Sequence, residues 1–477
     1  MAIVAAFAVP HPPLIIPEVG QGRELEIPAT VDAYREVARR IAALRPDTVV
    51  ISTPHSIMYR DYLHISPGAA ATGDFGQFGV RKVHYRCEYD QQLVASLEAA
   101  CLAEQLPAGT QGERDPSLDH ATLIPVHFIA EAYRAADLPM PKFVRIGLSG
   151  LSPAVHYHLG MLLQKAASVL KRRVVYVASG DLSHKLTPDG PYGFAPEGPA
   201  FDNRIRHDFE QADFLDLLCM DPSFAERAAE CGLRSFQIMA GALDRTEVTP
   251  ELLSYEGPFG VGYGVAAFEP AGGEGASEDR AFLEQYLEWH DLDMRRRREA
   301  EDELVSLARL SLETYVRSGG IQVRVDDLPD GRTLSPELTQ RRAGCFVSLK
   351  IDGKLRGCIG TIAPTKASLA EEICANAVSA GRYDSRFSPV EFEELDELVY
   401  DVDVLSEPET IPSTDLLDPR RYGVIVSTRD GRRGLLLPDL DGVDSVEEQV
   451  SIAAQKGGID PDFDEIQLER FTVERHV

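Results

Sequence analysis

VVYVASGDLSHKL (174–186) decides how the first half of this chain is read. A run rich in Val ends at Ser179 and gives way to Gly180, Asp181 and His184. A short unbroken apolar run bounded by turn residues is a strand buried on both faces. IVAAFAV (3–9), TVVIS (48–52), FVRIGL (143–148) and GYGVAAF (262–268) have the same texture. Between them lie amphipathic helical stretches, YREVARRIAAL (34–44), QQLVASLEAACLAEQL (91–106), HLGMLLQKAASVLKR (158–172) and SFQIMAGALDR (235–245). Strands alternating with helices predict an α/β domain over 1–269, a central sheet with helices on both faces.

Three further histidines occupy the place that His184 occupies, at the end of an apolar run or the opening of a turn. His11 stands in AFAVPHPPLI, His55 in VVISTPHS and His120 in DPSLDHATLIPVHF. Open α/β sheets build their sites at the carboxyl ends of strands, so these residues converge on one crevice. Two neutral imidazoles with one anionic ligand suit a non-heme Fe(II) centre with open positions. Additional histidines beside it move protons, because imidazole titrates near neutral pH.

VPHPPLI, STPHS, LDHATLIPVHF and ASGDLSHKL resemble the metal and catalytic segments of the LigB-like class III extradiol dioxygenases, in order, through most of residues 1–269. The resemblance implies His11 and His55 as Fe(II) ligands, His184 as acid/base toward a substrate hydroxyl, and His120 beside the dioxygen position. It implies cleavage of a small catechol-like ring by dioxygen, and an oligomer. The family's third ligand is a glutamate before a late helix. Here that place reads AAECGLRSFQIMAGAL, which offers Glu230 or Cys231. The segment also resembles the related Memo proteins, in which a cysteine stands at the metal site. A thiolate ligand shifts preference toward softer metals, copper or zinc, and is prone to oxidation. Asp181 either orients His184 or caps the turn at Leu182. His127 falls on an apolar helical face and reads as core. Tyr192 and Phe194 lie on a Pro/Gly-rich loop that either covers a flat substrate or merely connects.

PAGGEGASED (270–279) is small, polar and glycine-rich, the texture of a linker. Residues 270–296 read as linker and the start of a connecting helix, and a charged helical stretch follows the glycine-rich break, from about Arg280 to Arg317. The arginine run in DMRRRREAEDEL (293–304) reads as a solvated helix face. The remainder, 297–477, mixes hairpins and helices in an α+β pattern. An Asp-Gly turn is predicted at Ile351–Asp352–Gly353–Lys354, with helices at 366–380 and 444–456. LRGCIG (355–360), with GCFVSLK before it and GRYDSRFSPV after it, resembles the AMMECR domain over about 298–477. Ser385 stands where that family more often has proline. Arg356, Cys358, Asp384 and Arg386 are the motif positions, and Cys358 beside Arg356 is either a structural cysteine in a strand or a candidate nucleophile. The combination resembles the AmmeMemoRadiSam set, which pairs such modules with a separate radical S-adenosylmethionine protein as partner. An accessory metal-binding role beside that partner is the alternative to ring cleavage, and chemistry through Cys358 a third reading.

A net charge of −28 disfavours nucleic acid as a partner. Seven cysteines without a CxxC pair suit a reducing cytoplasm. The N-terminus lacks a basic leader and reads as a first strand. No apolar run reaches the length of a membrane helix.

Overall fold

A computed structural model of the chain describes residues 2–272, 277–440, 442–443, 445–461 and 464–477. Residues 273–276 of the predicted linker and Asp444 of the predicted last helix lie outside them. The chain forms two compact units, Met1–His290 and Asp291–Val477.

The sheet of the first unit has six strands: β1 (Ile3–Val9), β2 (Thr48–Thr53), β3 (Lys142–Gly147), β4 (Val174–Ser179), β5 (Val248–Glu256) and β6 (Tyr263–Pro270). Their order is β3-β2-β4-β1-β6-β5. The first four are parallel, with Val9 opposite Ser179 and Thr53 opposite Gly147. The last two join antiparallel. Successive residues of a strand point to opposite faces. On β4, Val174, Tyr176 and Ala178 enter one core, while Val175 and Val177 enter the other. The first core packs helices Pro153–Val169 and Leu233–Ala242. The second packs Pro28–Leu44 and His120–Ala135. This three-layer arrangement explains why the central strands contain almost no polar side chain before their carboxyl ends.

The charged stretch 280–317 forms two helices, Phe282–Ala300 and Glu303–Ser318, not one. The break falls at Asp302, whose carboxylate accepts from the N–H groups of Leu304 and Val305 and caps the second helix. The arginine run sits on the first helix, with Arg295 paired to Asp291 and Arg297 to Asp293 one turn back.

In the second unit one sheet contains Cys345–Ile351, Lys354–Gly360, Val399–Leu405 and Val473–His476. Another contains Glu409–Ile411, Gly423–Thr428, Arg433–Leu436 and Ile466–Phe471. Helices Glu303–Ser318 and Leu369–Arg382 cover the first sheet, closing a core of Val305, Leu312, Ile373, Val347 and Val402. The predicted Asp-Gly turn forms, with Asp352 and Gly353 at φ of 50° and 71°. The predicted last helix is observed as Val446–Lys456. Among the described residues no helix is long and apolar enough to cross a membrane.

Candidate metal centre

The carboxyl ends of three adjacent parallel strands build the site. His11 lies two residues past β1, His55 two past β2, and Asp181 and His184 follow β4. His120 is the first residue of helix His120–Ala135, and Cys231 immediately precedes Gly232, the N-cap of helix Leu233–Ala242. Nε2 of His11 lies 3.0 Å from Nε2 of His55 and 3.6 Å from Sγ of Cys231. All three donor atoms fall within 4.8 Å of one another. Two imidazole nitrogens each about 2.0–2.1 Å from one ion, with a thiolate at about 2.3 Å, fit inside that span. The three residues make a candidate metal site, with donors of the kind that transition metals take.

Glu230 is not in this cluster. Its carboxylate accepts the N–H of Leu233 at 2.7 Å, at the first turn of the helix. Adjacent residues thus divide two tasks, with Cys231 facing the histidines and Glu230 satisfying the helix end.

The flanking groups are held by hydrogen bonds. His11 Nδ1 meets Ser179 Oγ at 3.1 Å, and its backbone N–H donates to Asp181 Oδ1 at 2.6 Å. His184 Nδ1 donates to the Ala229 carbonyl at 2.5 Å, which leaves its Nε2 without a proton in the neutral ring. The rings of His55 and His120 lie 4.3 Å apart, and Phe78 meets His120 edge-on at 5.4 Å. Asp119 accepts from Thr53 Oγ1 at 2.7 Å and caps the helix that begins at His120. Tyr192 contacts His184 edge-on at 5.3 Å, with its own side chain largely exposed. His127 is elsewhere, bonded to the Tyr85 hydroxyl at 2.8 Å.

Burial lowers the basicity of His11, His55 and His184, and takes His120 to about 4 with help from His55. All four imidazoles are therefore neutral near pH 7, the form that binds a cation. Burial holds the Asp181 carboxyl up at about 7, against the pull of the His11 N–H. Burial, then Asp181 and Glu230, push the Cys231 thiol well up. Cys231 would bind a cation as the thiolate, since a bound cation would be the largest local charge and favour loss of the thiol proton.

A cleft of about 820 Å³ opens beside His55 and His120, with Gln77, Arg81, Arg86 and Arg145 also on its walls. That volume suits a small molecule. The hairpin Ala70–Phe75/Val80–Glu88 that carries part of this wall was missed by the sequence reading. Its strand Val80–Glu88 is mostly polar, and the signal that could have found it is the alternation of Val83, Tyr85 and Cys87, turned inward, with exposed Lys82, His84, Arg86 and Glu88.

In the second unit the motif residues chiefly hold backbone. Arg356 pairs with Glu394 through two bonds of 2.6 and 2.9 Å and donates to the Ser388 carbonyl. Asp384 accepts the Cys358 N–H at 2.9 Å and pairs with Arg386, which also reaches the Cys358 carbonyl. The Cys358 thiol, partly buried, receives a bond from Ser348 Oγ at 3.3 Å, and burial raises its pKa.

These features define an α/β unit with a candidate metal site at the carboxyl edge of its sheet, joined to an α+β unit. The chain belongs to the family of the catalytic LigB subunit of aromatic ring-opening dioxygenase, which residues 5–266 match, and it carries an AMMECR1 domain over residues 305–476. The protein CA_C1420 of Clostridium acetobutylicum is 36% identical over all of this chain and 99% of its own length, so both domains stand together there. A Thermotoga maritima protein is 51% identical over 35% of this chain and 91% of its own length. The crystal structure of PH0010 from Pyrococcus horikoshii matches 36% of this chain and 88% of its own, at 34% identity and a TM-score of 0.32.

Proposed function

We propose that the first unit is a metal-dependent module in which His11, His55 and Cys231 hold one ion, copper or zinc in preference to iron, with His55 also on the wall of a cleft for a small hydroxylated aromatic molecule. The observation that carries this reading is the convergence of two imidazole Nε2 atoms and one thiol within 4.8 Å. Thiolate ligation favours softer ions. When bound, such an ion supplies Lewis-acid polarisation of a coordinated oxygen.

The chain's own residues would do the rest. Neutral His184, its Nδ1 proton committed to Ala229, presents Nε2 as a proton acceptor toward a substrate hydroxyl. His120 lines the cleft as a second neutral base. This pair of bases favours a second reading, ring opening by dioxygen with Fe(II) in the same ligands.

The test is metal content by mass spectrometry after anaerobic purification, for wild type, His11→Ala and His55→Ala. Near-stoichiometric copper or zinc, lost in both variants, supports the first reading. Near-stoichiometric iron, with oxygen uptake on catechols, supports the second. Metal unaffected by either substitution overturns both.

A further inference from the structure

We infer that Ser179 is a positioning residue that locks His11 in the tautomer whose Nε2 is free to bind a cation, and that Pro125 makes the lock available. The inference rests on the metal reading above. Serine has one hydroxyl proton. In Ser179 that proton is directed to the Ala121 carbonyl, at 2.7 Å. Toward His11 Nδ1, 3.1 Å away, the same oxygen can therefore act only as an acceptor, so the ring proton sits on Nδ1. Nε2, facing His55 and Cys231, is left with its lone pair.

The Ala121 carbonyl is open to Ser179 for a reason written in the sequence. In a helix that carbonyl would accept the N–H of the residue four positions later. Here that residue is Pro125, which has no N–H. A proline inside an otherwise regular helix is ordinarily destabilising. This one removes a donor that would compete for Ala121. Ser179 is fully buried at the end of β4, and Ala121 is fully buried in the first turn of the helix that also presents His120. The relay Pro125, Ala121, Ser179, His11 therefore ties the metal-facing ring to a rigid element. Partners of this kind fix ring orientation in metal sites generally.

The test uses the full chain with ¹⁵N-labelled histidine. Ring nitrogen spectra of metal-free protein assign the His11 tautomer, with His11→Gln identifying the signal. The expected result is Nδ1–H in wild type and a shift toward Nε2–H in Ser179→Ala. Zinc affinity by chelator competition is expected to fall about 10–100-fold in Ser179→Ala and to stay within about threefold of wild type in Ser179→Thr, which keeps the hydroxyl. Thermal unfolding of the metal-free variants checks that they fold. An Nε2–H tautomer in wild type overturns the inference. So does wild-type zinc affinity in a folded Ser179→Ala. Wild type with the Nδ1–H tautomer, lost in Ser179→Ala, but with no affinity for zinc or copper, supports the lock and overturns only the metal reading.

Discussion

Gly180 and Gly232 pack backbone against backbone. A Cβ built on Gly180 would lie 2.2 Å from the Gly232 Cα. This contact sets the distance between the turn after β4 and the start of helix Leu233–Ala242, and so between Asp181 and Cys231. The Asp181 N–H donates to Cys231 Sγ at 3.3 Å, and the Cys231 N–H reaches the Asp181 carbonyl at 3.4 Å. Gly180→Ala must push the helix start away, because backbone cannot yield as a side chain can. The expected cost is about 1–3 kcal/mol, typical of overpacking, together with reduced metal content because Cys231 moves with Gly232. Urea unfolding of the metal-free protein and metal content of the purified variant check both parts. Wild-type values in both would show that the contact is tolerant.

Glu230 and Cys231 should separate cleanly by mutation. Cys231→Ala removes a donor from the cluster and is expected to lose the ion. Glu230→Ala removes the acceptor of the Leu233 N–H. It is expected to retain the ion and to lose about 1 kcal/mol of stability, the worth of such a bond. Parallel metal analysis and unfolding curves distinguish the two. Loss of metal in Glu230→Ala with retention in Cys231→Ala would exchange their roles.

A stability–pH prediction comes from Asp208, buried on helix Glu197–Gln211. Burial, then Asp216 and Asp213, push its carboxyl up to about 8, against the pull of Arg204. Arg204 is itself paired with Asp216 through bonds of 2.5 and 2.6 Å. A carboxyl whose folded pKa is raised stays protonated in the fold after the unfolded chain has lost its proton. From about pH 4 to about pH 8 the folded state therefore holds more protons, and this contribution to stability falls as pH rises, levelling above. Asp208→Asn carries no such proton. Its unfolding free energy relative to wild type is expected to climb from about pH 5 to about pH 8 and then stay level. A difference independent of pH would show that Asp208 ionises normally.

The parts of this molecule that the sequence revealed are those governed by period and by strand ends. Buried runs such as VVYVAS identify strands because both faces are covered. His11, His55 and His184 stand out because a polar residue just past such a run has only the carboxyl edge to occupy. Strand β5, VTPELLSYE, was not legible, since it lies at the sheet edge, is only partly buried and contains Pro250. The third donor was legible only as a pair. Glu230 and Cys231 are one residue apart, and the local turn decides which side chain faces the histidines. Ala229, at a φ of 54°, reverses the chain immediately before them. Ser179 gave no signal, because it reads as an ordinary strand end. Its role depends on a carbonyl 58 residues away in sequence.

Arg356 and Cys358, two residues apart in LRGCIG, should respond very differently to mutation. The Arg356 side chain is largely buried and clamps Glu394 and the Ser388 carbonyl. Arg356→Ala removes the cation from a partly buried carboxylate that keeps its bond from the Glu391 N–H, and removes the donor to the Ser388 carbonyl, a loss on the order of 2 kcal/mol. It is expected to lower the unfolding midpoint of this unit sharply. Cys358→Ala removes one weak contact with Ser348 and is expected to cost about 1 kcal/mol. Because the alanine variant keeps the fold, it isolates any chemistry of the thiol. Alkylation kinetics of wild type supply the companion measurement. Burial raises the pKa of this thiol, so it should react with iodoacetamide more slowly than a free cysteine at pH 7.5, since only the thiolate attacks. Fast, saturating alkylation, with loss of function in a folded Cys358→Ala, would instead place a nucleophile in the second unit and make Arg356 its scaffold.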